Sequence, residues 1–163
     1  MFNINILEDY LIDSTDKLND QTIKIQLTIF NNFIKYKIPR TILGFKELSL
    51  NKDVKVRVNV INYKFIKQKY TFADGSTVII TPEIAKKYKL TYAIDVYVNI
   101  NIYDNNKKII KNAENICMGS IPIMVGSCEC DNNLNKISGI KEDYGGYFII
   151  DGVEKILNKK NEL

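Results

Sequence analysis

Strict alternation of apolar and polar side chains between positions 94 and 102 is the feature that most constrains the fold of this chain. The apolar residues are Ile94, Val96, Val98, Ile100 and Ile102. In a β-strand, successive side chains point to opposite faces of the sheet, so one face can be apolar and the other polar. The segment is therefore predicted to be a half-buried β-strand.

Other strands are predicted from the same period and from turn residues. Valines at positions 54, 56, 58 and 60 alternate with polar residues in the same way. An Ala-Asp-Gly-Ser turn at 73–76 predicts a hairpin between 70–72 and 77–81, and a polar turn at 104–107 predicts that 108–116 returns as a hairpin partner. Further strands are predicted at 120–125 and 146–150, with a turn at Asp151-Gly152.

Helical spacing dominates residues 7–37. Two helices are predicted, from one group of apolar residues at 7, 11 and 18 and another at 23, 27, 30 and 34. Asp20 is expected to cap the second helix, and Pro39 is expected to help stop it near residues 36–38. Pro82 to Lys89 forms a further short segment that Thr81 could cap. Helices first and closely spaced strands afterwards predict an α+β fold with mostly antiparallel pairing.

Size and composition predict a globular protein that stays inside the cell. The chain has 163 residues, of which 45% are hydrophobic and 26% charged, so it should bury a core. Its longest apolar stretch is about five residues, far short of a membrane span. Glu8 and Asp9 interrupt the start of the chain before an apolar block develops, which argues against a secretory signal.

The charge balance permits contact with a polyanion but does not by itself identify one. There are 23 basic and 19 acidic residues, for a net charge of +4. Only Arg40 and Arg57 are arginines, so bidentate recognition of guanine edges is disfavoured. Ile, Lys and Asn supply 67 of the 163 residues, which indicates an A/T-rich genome.

Several catalytic and metal sites are excluded or disfavoured. The chain has no histidine, which removes a Ser-His-Asp triad and the HExxH metal motif. No glycines have the GxGxxG or GxxxxGK[ST] spacing of nucleotide loops. Cys117, Cys128 and Cys130 are one ligand short of a structural zinc site, so free thiols in a reducing compartment are expected. A small thiol or metal protein is the weakest of the alternatives.

Two blocks near the carboxyl end carry the most specific pattern. Residues 119–125 read Gly-Ser-Ile-Pro-Ile-Met-Val, and residues 145–155 read Gly-Gly-Tyr-Phe-Ile-Ile-Asp-Gly-Val-Glu-Lys. The pair resembles the amino-terminal part of the second-largest, beta-type subunit of multisubunit DNA-directed RNA polymerases, of the eukaryotic or large-DNA-virus type. The motif positions, expected to be structural, are Gly119, Pro122, Met124, Gly145, Gly146, Gly152, Glu154 and Lys155.

Earlier segments match the same family in the same order. Residues 26–34 resemble its early helix, residues 38–42 resemble the segment directly after that helix, and Thr81 to Tyr92 resembles a block that ends in Leu-Thr-Tyr. Where the family often has arginines in the last of these, this chain has Lys86, Lys87 and Lys89. The resemblance therefore implies a weak, general attraction of these lysines to nucleic-acid phosphates rather than bidentate contacts.

The resemblance implies that residues 1–163 are a single, incomplete protrusion-like domain, a lobe beside the DNA channel. It implies a structural contribution to transcription, with template-directed nucleotidyl transfer carried out by the whole enzyme and this chain alone inactive. Neither a catalytic residue nor a metal ligand or cofactor is expected here, because the magnesium-binding aspartates belong to the family's largest subunit. The implied partners are the rest of the beta-type subunit, the largest subunit and DNA, with no membrane. A viral source would place the protein in the virion or host cytoplasm.

Two expectations separate this interpretation from its main rival. The rival is a free-standing nucleic-acid-binding or interaction module that uses lysine patches at positions 64, 67 and 69 and at 86, 87 and 89. An incomplete domain should leave an open strand edge or apolar face at 94–102 and 147–150, and should self-associate or be marginally stable in isolation.

Overall fold

The computed structural model describes residues 21–44, 47–49, 55–103, 108–130 and 143–157. Several sequence predictions lie outside these residues: the helix over 7–18, the Asp20 cap and the turn at 104–107.

The second predicted helix is present and longer than expected. Helix α1 covers residues 21–32, a π-helical turn covers Phe33–Lys37, and helix α2 covers Ile38–Gly44. The prediction that Pro39 helps to stop the helix near residues 36–38 is wrong. Proline breaks a regular helix because it lacks an N–H and clashes with the carbonyl four residues earlier. Here the Ile38 N–H already donates to the Phe33 carbonyl five residues back, so a wide turn directly precedes the proline and the helix continues.

In the part of the chain that the structure describes, eight strands follow in chain order: β1 (Glu47–Ser49), β2 (Lys55–Lys67), β3 (Lys69–Thr71), β4 (Thr77–Ile79), β5 (Ala93–Tyr103), β6 (Ile109–Pro122), β7 (Tyr147–Ile150) and β8 (Val153–Ile156). One sheet has the order β1-β2-β5-β6, and β3-β4 and β7-β8 form two-stranded sheets. Every pairing is antiparallel. The α+β prediction is confirmed.

Strand β5 is the alternating segment that the sequence singled out. Its residues Ile94, Val96 and Val98 are buried, as the two-residue period predicted. Of the two alternatives expected at 94–102, the open edge is wrong, because β5 pairs with β2 on one side and with β6 on the other, and the apolar face stays a prediction. The other expected edge is covered too, since the carbonyls of Tyr147 and Ile149 in β7 accept from the N–H groups of Val125 and Tyr92.

The local turn and cap predictions hold. Hairpin β3–β4 turns at residues 73–76, where the Asp74 carboxylate accepts from the Ser76 N–H at 2.9 Å and Gly75 has a φ of +83°. Helix α3 covers Pro82–Lys87, and the Thr81 hydroxyl accepts from the Ile84 N–H.

The predicted strand at 120–125 is wrong as a separate element: Ser120 to Pro122 end β6, and 123–125 leave the sheet.

Two clusters of buried residues form the core of the described part. One joins β5, α3 and β7 through residues such as Ala85, Ile94 and Ile149. The other joins the helices to the segment after β6 through Phe30, Ile34, Ile38 and Met124. No helix within the described ranges is long and apolar enough to cross a membrane.

Candidate functional site

The two carboxyl-terminal motif blocks meet backbone to backbone. The Gly146 N–H donates to the Val125 carbonyl at 2.9 Å, and the Val125 N–H donates to the Tyr147 carbonyl at 2.8 Å. A Cβ on Gly145 would lie 2.3 Å from the Val125 oxygen, and Gly145 has a φ of +73°. Glycine is required there both for the approach and for the backbone conformation.

The turn of the second block packs against the end of α3 in the same manner. A Cβ on Gly152 would lie 2.8 Å from the Lys89 Cα and 3.2 Å from the Lys86 carbonyl oxygen. The Gly152 N–H donates to the Leu90 carbonyl at 2.9 Å. Three motif blocks that are distant in sequence therefore converge, and we call this region the motif junction: residues 82–92, 122–126 and 143–154.

A chain of polar contacts crosses the motif junction. The Lys86 ammonium lies 2.5 Å from the Glu154 carboxylate, 3.4 Å from the Tyr147 hydroxyl and 5.2 Å from the centre of the Tyr147 ring. The Tyr147 hydroxyl donates to the Asp143 carboxylate at 2.6 Å. Burial, and then the hydrogen bond to Asp143, hold the pKa of Tyr147 well above its ordinary value. The network ties α3 to the β7–β8 hairpin.

The three lysines that the sequence proposed for nucleic-acid contact differ in their surroundings. Lys86 is engaged by Glu154, so its charge is offset within the chain. The Lys87 ammonium lies 5.4 Å from the centre of the Tyr88 ring, and Lys89 is exposed with a φ of +55°. In the other patch, Lys64 donates to the Asn115 side chain at 2.6 Å. Lys86 and Lys64, one from each patch that the free-standing module would use, are thus engaged within the chain.

The remaining motif residues have separate structural positions. Gly119 has a φ of +135° and lies where the β5–β6 register shifts between Val96 and Tyr97. Pro122 pairs with Ala93 at the end of β6, and Met124 is buried against the helices. Lys155 pairs with Phe148 across the β7–β8 hairpin and is exposed.

Sequence reasoning missed several contacts. It assigned no role to Asp143, none to Tyr147 beyond the predicted strand at 146–150, and none to Asn31, whose side-chain oxygen accepts from the Cys128 N–H at 2.8 Å. No sequence signal distinguished Asn31, because other polar residues such as Gln26 and Thr28 also lie in α1. Nothing in the periodicity indicated that Tyr70 and Tyr88 would stack with ring centres 4.8 Å apart.

The described acids and thiols do not assemble into a metal site. Within the ranges described, no group of three or more Cys, Asp or Glu side chains is placed to hold an ion. Cys117 and Cys128 are exposed, whereas Cys130 is buried in the core.

Comparison with known proteins gives one consistent result. A family model described as RNA polymerase beta subunit matches residues 21–162. DNA-directed RNA polymerase subunit Rpo2N of Methanocaldococcus jannaschii is 29% identical over 148 residues, which cover 85% of this chain and 29% of that protein. DNA-directed RNA polymerase III subunit 2 of Arabidopsis thaliana is 28% identical over 159 residues, which cover 86% of this chain and 13% of that protein. The chain thus spans less than a third of the length of these relatives.

Proposed function

Because this chain belongs to the RNA polymerase beta subunit family, at the amino-terminal part of the second-largest subunit, we propose that it is a structural part of a DNA-directed RNA polymerase. The observation that carries the proposal is the motif junction. The residues that match the family pattern, such as Gly145, Gly152 and Glu154, make backbone approaches and an ion pair that hold elements together. We infer that these residues act by fixing the relative positions of α3, residues 122–126 and the β7–β8 hairpin, and not by contacting a substrate.

The chemistry of the whole enzyme would be template-directed nucleotidyl transfer with Mg²⁺. The acids described here fit a structural role better than a metal site. Asp143 accepts from Gly145 and Tyr147, Glu154 contacts Lys86, and Asp95 accepts from the Gln68 and Ser120 side chains. We therefore propose, in line with the family resemblance, that the magnesium ligands belong to the largest subunit and not to the acids described here.

Within the enzyme, we assign the chain to a protrusion lobe beside the DNA channel. Its partners would be the remaining beta-type subunit, the largest subunit and DNA. Support for DNA contact comes from Lys87 and Lys89, which are exposed at the end of α3 and directly after it. Lys86 is a weaker candidate, since its charge is offset by Glu154. The polymerase role implies an intracellular location, and the large share of Ile, Lys and Asn residues is compatible with a large DNA virus as the source.

The direct test is isolation of the tagged chain from its own source cells or virions. We expect a largest-type polymerase subunit and template-dependent RNA synthesis to be isolated with it, and we expect no RNA synthesis from the chain purified free of other subunits. A G145A variant should lose the partner subunits because the motif junction is disrupted, while G75A, in open space, should retain them. Isolation of the wild-type chain alone, with all RNA synthesis in the unbound fraction, would overturn the proposal.

A further inference from the structure

An open apolar groove runs along α1 and the π-helical turn. Its helical wall presents Ile25, Ile29 and Phe33, which are 60%, 64% and 42% exposed, and Met124 and Leu157 line it as well. The groove has a volume of about 870 Å³. Contiguous apolar surface that stays in contact with water marks an interaction site.

The geometry of the groove favours a helix as its occupant. Ile25, Ile29 and Phe33 follow one another at intervals of four residues, over about 12 Å of helix axis. The backbone groups of a helical wall are hydrogen-bonded within the helix, so they cannot pair with an extended strand. An incoming helix satisfies its own backbone groups and packs its side chains between those of the wall, whereas a strand would bury unpaired N–H and C=O groups there.

The charge around the groove restricts the polar residues of that helix. Residues 21–44, which form the helical wall, carry four basic residues and no acid. Among the described residues that line the groove, Lys37 is the one that carries a charge, and Arg40 follows it about one turn later and is exposed. Acids beside the apolar stripe of an incoming helix would be attracted to these two cations, and lysines at the same positions would be repelled.

Occupants taken from the sequence of this chain lack that combination. A second copy would bring the same basic helices against the groove. If residues 1–20 form a helix, four of its five acids, at 9, 13, 16 and 20, lie opposite the apolar stripe at 4, 7, 11 and 18, and so point away from the groove. Residues 158–163 contain two lysines and one apolar residue.

We propose that the groove docks an amphipathic helix of another polypeptide, one that carries acidic residues beside its apolar stripe. Its apolar side chains pack between Ile25, Ile29 and Phe33, and its acids lie beside Lys37 and Arg40. This docking concerns a surface of the chain itself and does not depend on the proposed polymerase role.

The test measures the binding of three fluorescein-labelled model peptides to the full chain by fluorescence anisotropy. Each peptide is an alanine-based helix of about 18 residues, long enough to form a helix in water. The first has one stripe of leucines with glutamates beside it, and the second has lysines in place of the glutamates. The third has the composition of the first, with its leucines dispersed around the helix.

Two pairs of chain variants locate the binding site. I25S/I29S removes apolar groups from the groove, and its control, I79S/I110S, changes two other isoleucines that are 46% and 61% exposed on β4 and β6. K37E reverses the charge that lines the groove, and its control, K111E, reverses the charge of an exposed lysine on β6. Far-UV circular dichroism shows that each variant is folded.

We expect the glutamate peptide to bind the wild-type chain about tenfold or more tightly than either of the other peptides. I25S/I29S should weaken this binding about tenfold or more, and I79S/I110S should leave it nearly unchanged. K37E should weaken binding of the glutamate peptide and strengthen binding of the lysine peptide, whereas K111E should change neither. This exchange of preference is a result that general loss of structure does not produce.

Equal binding of the glutamate and lysine peptides, or equal effects of the two isoleucine variants, would overturn the proposal. A wild-type chain that does not bind the glutamate peptide would also overturn it. If the peptide bound only after L7S/L11S/L18S was introduced, the occupant would be the chain's own amino-terminal segment. If it bound only when sedimentation showed that a dimer had dissociated, the occupant would be a second copy, and either result contradicts docking of another polypeptide.

Discussion

Gly145 requires glycine for two separable reasons, steric and conformational. It has a positive φ, and a Cβ there would meet the Val125 carbonyl at 2.3 Å. Gly75 has a positive φ of +83° with nothing within 4 Å, and Gly44 has neither constraint. We expect G44A to change the free energy of unfolding by less than about 1 kcal/mol, G75A to lower it by about 1 kcal/mol, and G145A by about 3 kcal/mol or more.

Urea unfolding of G44A, G75A and G145A measures how much free energy of unfolding each variant loses. Because G75A isolates the backbone penalty, the difference between G145A and G75A reports the contact with Val125. If G145A were no more destabilising than G75A, the close packing of the two motif blocks would be absent in solution.

Tyr147 predicts a pH dependence of stability. Its pKa is held above the ordinary value of 10.0, first by burial and then by the bond to Asp143. Above pH 10 the unfolded chain therefore releases this proton while the folded chain retains it, so the free energy of unfolding falls as pH rises, by at most about 1.4 kcal/mol per pH unit. Y147F should show a shallower decline between pH 9 and 11 than the wild type, by chemical unfolding at each pH.

The matched control is Y144F, which removes the hydroxyl of an exposed tyrosine three residues earlier. The free energy of unfolding of Y144F should change with pH as that of the wild type does. Parallel profiles for the wild type and Y147F would show that the Tyr147 hydroxyl titrates alike in the folded and unfolded chain.

The sequence predicts which residues have an unusual local backbone conformation. It does not predict which distant residues they contact. The sequence marks Gly145 and Gly146 as positions that permit unusual backbone. It cannot indicate that the obstacle is the Val125 carbonyl, twenty residues earlier. For the same reason Lys86 was grouped with Lys87 and Lys89, although Lys86 meets an acid, Glu154, from another element.

At the scale of elements, the cap of α3 offers a clean test. The Thr81 hydroxyl accepts from the Ile84 N–H at 3.4 Å, and Pro82 occupies the first turn. T81A should lower the free energy of unfolding by about 1 kcal/mol, the usual effect of removing an N-cap, whereas T81S should retain nearly all of it. Thermal and urea unfolding measure both, and equal losses in T81A and T81S would indicate that the threonine methyl, not the hydroxyl, stabilises the site.

Element types were predictable from period and turn chemistry, while two boundaries were not. Alternation identified β2 and β5, and the Asp-Gly pair at 74–75 identified the β3–β4 turn. Pro39 was expected to act as a stop because a regular helix would break there, but the π-helical turn before it changes the hydrogen-bond register. Residues 123–125 have the composition of a strand, yet the N–H groups of Ile123 and Val125 bond to Tyr92 and Tyr147 outside the main sheet.

At the scale of the whole molecule, strand order could not be derived from the sequence. An apolar alternation shows that β5 has a buried face, and it does not show which strands pair with its edges. The expectation of an open edge at 94–102 failed for this reason: β2, from an earlier part of the chain, closes one side and β6 closes the other. Pairing between distant segments depends on the packing of the entire sheet.

The distribution of charge over the molecule gives the last prediction. If Lys87 and Lys89 contact phosphates, K87Q/K89Q should weaken binding of the full chain to duplex DNA and lower the slope of log affinity against log salt by about 1.8, since each phosphate contact contributes about 0.9. K35Q/K111Q removes the same net charge from exposed sites on other elements and should leave the slope nearly unchanged. K86Q should change it little, because Glu154 already offsets that charge. Fluorescence anisotropy across a salt series measures all four proteins, and equal loss of slope in the two double variants would mean that DNA responds to net charge and not to the end of α3.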